Sequence, residues 1–337
     1  MSRALDPGVA ASIQGNDSQA VYNDIVKALN STTSDLLDIE FLGKSHPIPL
    51  DGNVLQEENS VAVPKLKLVQ AFIAARRLFF DCLTDFNEEK FQDIRDATAV
   101  ILLMDPEHLT AANTRKRIIQ RHLTGPKAEL EAALTRELFV IDSFLTSRLH
   151  RHTKSPTLWS HRRWLLEIFK SSEITHDIQR DLTAVILVAA ARHPRNYYAW
   201  LHMRWLLETF HSIDSSSESS SKILTAAKDW CLRHPADTSG WSFLLFYLFS
   251  IEPSKNARIE ANSSVCKEVL GLATSFRWTH ESVWVFLRTL VAAGEIEKSK
   301  RSSFFQTIEA SIATQQKSSK GQVILKTARD WCTEYSV

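Results

Sequence analysis

The chain reads as an all-α protein, a solenoid of antiparallel helical hairpins, and three observations predict it. The segment Trp159-Ser-His-Arg-Arg-Trp-Leu-Leu-Glu167 recurs as Trp200-Leu-His-Met-Arg-Trp-Leu-Leu-Glu208, matching at seven of nine positions after a shift of 41 residues. A recurrence of this length marks stacked supersecondary units, none of which buries its apolar face alone. A turn signal (Asp105-Pro, Lys154-Ser-Pro, His193-Pro-Arg-Asn, His234-Pro) precedes each repeat helix, because proline disfavours helix at the residue before it. Nine glycines in 337 residues and no sustained apolar–polar alternation leave strands little support.

Residues 1–60 are expected to hold an N-terminal helical element and a loop. Residues 61–337 are expected to form the array, with repeats centred near residues 112, 159, 200, 241 and 284. Residues 43–60, with Gly43, Pro47, Pro49 and Gly52, read as the loop between the two. The first repeat, Asp105-Pro-Glu-His-Leu-Thr-Ala-Ala-Asn-Thr-Arg-Lys-Arg117, has Ala112 where tryptophan would fall, so Arg115 aligns with Arg162. In the second, Trp159, Arg162 or Arg163 and Leu166 share one helical face by their spacing. Asp181-Leu-Thr-Ala-Val-Ile-Leu-Val-Ala-Ala190 supplies a partner helix. Trp241 and Trp284 continue the period after 41 and 43 residues, and Trp331 marks a decayed sixth unit. Asp214-Ser-Ser-Ser-Glu-Ser-Ser-Ser221 reads as a flexible connection.

Composition narrows the class. The chain is 44% hydrophobic and 23% charged, enough for a large core, and its 40 basic and 39 acidic residues leave a net charge of +1. A global field for nucleic acid is therefore not expected. Four cysteines without a CxxC pair suggest a reducing compartment. The first residues lack an apolar signal core, and no apolar run approaches the ~20 residues a bilayer requires. The expectation is a soluble, cytoplasmic protein.

The polar residues carry the functional argument. Residues 145–170 hold six basic side chains (Arg148, Arg151, Lys154, Arg162, Arg163, Lys170) against one acid, Glu167, with His150, His152 and His161 beside them. Such an excess in a balanced chain marks an anion site, and cations beside a helix start suit phosphate. The alternative is a solvated face, or arginines paired at i, i+4 with Glu167 and Glu208. His161 and His202 recur at one repeat position but have no cluster of convergent ligands, so a hydrogen bond between repeats fits them better than a metal. The tryptophans read as packing between repeats. No phosphate loop, nucleophile elbow or H-E-x-x-H motif is present, and the chain is not expected to act alone.

His193-Pro-Arg-Asn-Tyr-Tyr-Ala-Trp-Leu-His-Met-Arg-Trp205 and Lys154-Ser-Pro-Thr-Leu-Trp-Ser-His-Arg-Arg-Trp164 resemble the repeat of protein prenyltransferase α subunits. The resemblance covers roughly residues 90–290 and is strongest in these two copies. Their form is similar to that of divergent α-like chains which pair with the β subunit of the Rab-type geranylgeranyltransferase.

The resemblance implies a right-handed α-α superhelix of prenyltransferase α repeats, wrapped around a β subunit. That partner holds zinc and the isoprenoid pocket, and this chain holds no cofactor. By the same resemblance, Lys154 and Arg195 contact the prenyl diphosphate, while Asn196, Tyr197, Trp159, His161, Arg162, Trp200, His202 and Arg204 shape the substrate and subunit interface. The acceptor is a protein with a C-terminal cysteine, and an already prenylated SNARE-type protein is the example implied. The chain departs from the family pattern at Pro156, Thr157 and Met203. Thr157 replaces the glutamine that helps read a terminal carboxylate, which argues against simple CaaX recognition. The competing class is a non-catalytic helical-repeat scaffold using the same tryptophan packing.

Overall fold

Val21, Tyr22, Ile25, Ala28 and Leu29 recur at helical spacing and form the buried stripe of α1 (Ser18–Leu29), the first of the helices that dominate the chain. In this computed structural model the described residues are 18–31, 35–43, 46, 52–210, 217–250 and 254–335. The chain divides into two units, one made of Met1–Asp177 and Val188–His193, the other of Ile178–Leu187 and Pro194–Val337.

In the first unit α1 packs on α2 (Lys65–Leu83), and α2 on α3 (Phe91–Met104). A three-stranded sheet corrects the expectation that residues before 61 hold only helix and loop. Strands β1 (Asp38–Leu42), β2 (Leu55–Glu57) and β3 (Ser60–Pro64) lie in the order β1-β3-β2, with β1 parallel and β2 antiparallel to β3. The strand β3 crosses the boundary drawn at residue 60. Ile39 of β1 and Val61 and Val63 of β3 lie on the buried side of the sheet, an alternation too short to stand out in the sequence. Of the expected loop 43–60, residues 44, 45 and 47–51 lie outside the described residues.

The sheet is tied to a helical hairpin far along the chain. This hairpin is α5 (Lys127–Leu145) and α6 (Pro156–Ser171), preceded by α4 (Leu109–Arg121), with a short helical turn His150–Thr153 before α6. The Leu37 N–H donates to Ser143 Oγ at 3.1 Å, and the Arg148 N–H to Ile39 O at 2.9 Å. The Lys154-Ser-Pro signal becomes a cap: Ser155 Oγ accepts from the Leu158 N–H, and Pro156 takes the first helical position.

In the second unit, Ile178–Arg180 and a π-helical stretch Asp181–Ile186 precede the repeats. Then follow α7 (Tyr197–Phe210), α8 (Ser217–Arg233), α9 (Thr238–Ser250), α10 (Lys255–Ser275), α11 (Glu281–Ala292), α12 (Lys298–Thr314) and α13 (Lys320–Tyr335). The helices α7, α9, α11 and α13 pack in succession, with α8, α10 and α12 as partners. Residues 214–216 of the expected serine-rich connection lie outside the described residues, and from Ser217 onward it is already the first turn of α8.

The repeat is regular at residue level. Ala112, Trp159, Trp200, Trp241 and Trp284 each stand fourth in their helix, and all are buried. The following residue pairs 114/115, 161/162, 202/203, 243/244 and 286/287 are buried too. Trp200 packs on Phe243 with centroids 4.9 Å apart, and Trp241 on Phe286 at 5.0 Å. Trp331, the expected mark of a sixth unit, stands in the fourth turn of α13. The stack does extend to α13, but Trp331 does not occupy the repeat position; it lies under Arg288, 4.8 Å from its ring centroid.

Candidate functional site

The histidine–arginine part of the repeat faces inward. On α4, Arg115 donates from Nε and an η nitrogen to Glu137 of α5, both at 2.7 Å, and its other η nitrogen reaches Arg95 O and Thr98 Oγ1. On α6, Arg162 donates from Nε to Asp142 Oδ1 at 2.7 Å. These pairs are 3% exposed or less, so α5 is clamped on both sides by ions removed from water. The His161 Nε2 lies 3.2 Å from Glu137 Oε1, but off the line of a good hydrogen bond, and neither ring nitrogen has a hydrogen-bond partner. Burial alone would raise the Glu137 carboxyl, but the Arg115 charge and then the His161 contact outweigh it and hold it well below the carboxylate range. Burial pushes His161 below the ordinary imidazole value against the pull of Glu137. The site is thus Arg⁺–Glu⁻ with a neutral histidine.

The expected basic patch is mostly neutralised. Arg148 pairs with Asp38 at 2.9 Å, Arg151 with Asp105 at 2.8 Å and Arg163 with Glu167 at 3.0 Å, while Arg162 is buried. His152 is buried and donates from Nε2 to Leu102 O at 3.0 Å; burial lowers its pKa to about 4. Apart from Glu167, the counter-ions lie outside residues 145–170, so a count within that window could not find them. Among the described residues, Lys154 has no carboxylate partner and stands half-buried at the foot of α6. Beside it, His150 and His193 bring their Nδ1 atoms to 2.8 Å. The sequence reading noted His150 and missed its pairing with His193, because the two are 43 residues apart.

In the second unit, Arg195 is exposed and its backbone is left-handed, with φ 59°. Its N–H donates to Asp237 Oδ2 at 2.5 Å, and Asp237 Oδ1 caps α9 by accepting from the Ser239 and Gly240 N–H groups. The Arg195 guanidinium has no hydrogen-bond or ion-pair partner among the described residues. Asn196 caps α7, its Oδ1 accepting from the Ala199 N–H. Tyr197 is 51% exposed, with its ring 4.1 Å from that of Tyr198. Arg204 donates to Ser242 O and Oγ, both at 2.7 Å, and lies over the Phe246 ring.

The residues expected at the interface divide by burial. Trp159, His161, Arg162, Asn196, Trp200 and His202 are buried inside their own units, as packing, capping and ion-pair groups. Only Tyr197 and part of Arg204 reach the surface. The i, i+4 alternative holds for Arg163 with Glu167, whereas Arg204 bonds the next repeat instead. Among the described residues no group of three or more His, Cys, Asp and Glu could hold a metal ion, and no helix is long and apolar enough to cross a membrane.

Fold and motif together define a class: an α-helical repeat protein similar to the α subunits of protein prenyltransferases. Residues 133–269 match the ECM9 middle domain. Over 72 residues the chain is 33% identical to protein prenyltransferase alpha subunit repeat-containing protein 1 of Danio rerio, a match covering 21% of this chain and 14% of that relative. Over 75 residues it is 32% identical to protein prenyltransferase alpha subunit repeat-containing protein 1-B of Xenopus laevis, covering 22% and 15%. The chain thus spans about a seventh of the length of the curated relatives it matches.

Proposed function

We propose that the chain is an α-type subunit of a heterodimeric protein prenyltransferase. It supports geranylgeranyl transfer to a protein cysteine held by a zinc-bearing β subunit of the Rab type. The observation that carries this reading is the state of the cations. Four arginines of the basic segment are neutralised by carboxylates, while Lys154 and Arg195, the positions matched to diphosphate contacts, keep uncommitted side chains.

In this reaction the cysteine sulfur forms a thioether bond to C1 of the prenyl chain as the C1–O bond breaks, and the electron pair leaves with the diphosphate. Zinc, held by the partner, would favour the thiolate form of that cysteine. Lys154 and Arg195 stabilise the negative charge that grows on the departing oxygens. Arg195 is pre-positioned for this by the carboxylate of Asp237, which fixes its backbone.

The test is co-purification with a Rab-type β subunit, followed by labelled geranylgeranyl transfer to a cell extract. A one-to-one complex that labels protein is the expected result. Lys154→Ala and Arg195→Ala should each slow transfer roughly 10- to 100-fold, or about 1.5–3 kcal/mol, without loss of assembly. Full turnover by an assembled Lys154→Ala complex would remove Lys154 from the mechanism. The second reading, a helical-repeat scaffold, is favoured by the inward-facing His and Arg of the motif, which packing alone explains. It predicts no complex with the β subunit.

A further inference from the structure

The His150 and His193 rings meet edge to face, with centroids 4.8 Å apart and Nδ1 atoms 2.8 Å apart. At that separation one Nδ1 carries hydrogen and donates while the other is bare and accepts. Two fully protonated rings would point hydrogen at hydrogen, so the pair carries either no charge or one shared proton. Lys154 stands beside it. Burial first, then Lys154 and His150, push the His193 imidazole below its ordinary value. The surrounding charges are committed elsewhere: Arg151 to Asp105, and Arg148 and Arg192 to Asp38. In the free protein, the neighbouring ammonium therefore opposes the shared proton.

We propose that Lys154, His150 and His193 form a phosphate-class anion site whose second positive charge is a proton, taken up by the histidine pair as the anion binds. The proposal rests on reading Lys154 as an anion contact and adds the two histidines to it. An anion placed against the three groups reverses the field that opposes the shared proton. Proton and anion then favour each other's binding by the same factor. The sign follows from the lowered imidazole. In the free protein His193 holds a proton less readily than an ordinary imidazole, so anion binding draws a proton from solvent. Affinity rises as pH falls toward the ordinary imidazole range.

The experiment is calorimetric titration of the full chain with inorganic pyrophosphate, over roughly pH 6 to 8, in buffers of contrasting ionisation enthalpy. The proteins compared are the unaltered chain, His150→Asn, His193→Asn and Lys154→Ala. The ligand's own titration is common to all four and cancels. The expected result is uptake of a fraction of a proton per pyrophosphate by the unaltered chain, absent from both histidine variants. Each histidine variant should also bind about tenfold more weakly near the acid end and almost equally at the alkaline end. Proton uptake that persists unchanged in both histidine variants overturns the inference while leaving Lys154 as a contact. Binding by Lys154→Ala that equals the unaltered chain overturns the underlying reading instead. Absence of pyrophosphate binding overturns both. Both histidines lie at the surface of the unit, and near-ultraviolet circular dichroism checks that the variants remain folded.

Discussion

At Arg162 the repeat puts a guanidinium where its sister copies put Met203, Leu244 and Leu287, and all four positions are buried. The cation is tolerated because Asp142 meets it at 2.7 Å in a site with almost no solvent. Removing one partner leaves the other charged and dry, so Arg162→Met should cost about 3–5 kcal/mol in urea unfolding. The double change Arg162→Met with Asp142→Leu should recover most of that loss. A double variant no more stable than Arg162→Met alone would mean the pair is not the unit of stability. His152 gives a second prediction. Its folded pKa of about 4 lies below the ordinary imidazole value, so between roughly pH 6.5 and 4 the unfolded chain binds more protons. Stability should fall through that window by up to about 1.4 kcal/mol per pH unit from this residue. The slope should flatten in His152→Asn, as read by melting temperature against pH.

Between elements, the repeats are joined by caps as much as by tryptophan. Asp237 caps its own helix and holds the preceding turn through the Arg195 N–H. Asp237→Ala should destabilise by about 1–2 kcal/mol and speed amide exchange at Arg195 and Ser239 together. Exchange unchanged at Arg195 would show that the two turns are not coupled. Gly240 is placed for a different reason: a Cβ there would come within 2.6 Å of the Trp230 ring, so Gly240→Ala should cost about 1–3 kcal/mol.

Trp159, Trp200, Trp241 and Trp284 announced the repeat because a large side chain in a fixed packing slot tolerates few substitutes. The sheet was hidden because β2 is three residues long and β1 and β3 five each, too short for alternation to separate from chance. The burial of His161 and Arg162 is hidden in the sequence for another reason. Polarity in a sequence reports chemistry but not direction, and their partners Glu137 and Asp142 sit one helix earlier. Lys154 and Arg195 differ from these: among the described residues no carboxylate pairs with either side chain.

Across the whole molecule, the two units use one repeat with different interiors. In the first, buried acids on α5 face buried arginines on α4 and α6. In the second, the column that holds those arginines is Met203, Leu244 and Leu287, and the tryptophans meet phenylalanines. The small sheet has a consequence of another kind, in the order of folding. Its ties to the hairpin join Leu37 to Ser143 and Asp38 to Arg148, spans of 106 and 110 residues. Closing so long a span costs entropy before any contact returns it, whereas the helical hairpins close locally. On a ribosome, Asp38 would wait until Arg148 had emerged, leaving the edge of β1 without this tie while α2 to α5 are already helical. The sheet should therefore be the last part of its unit to gain protection in pulse-labelled hydrogen exchange, and the part of a stalled chain that a chaperone meets open.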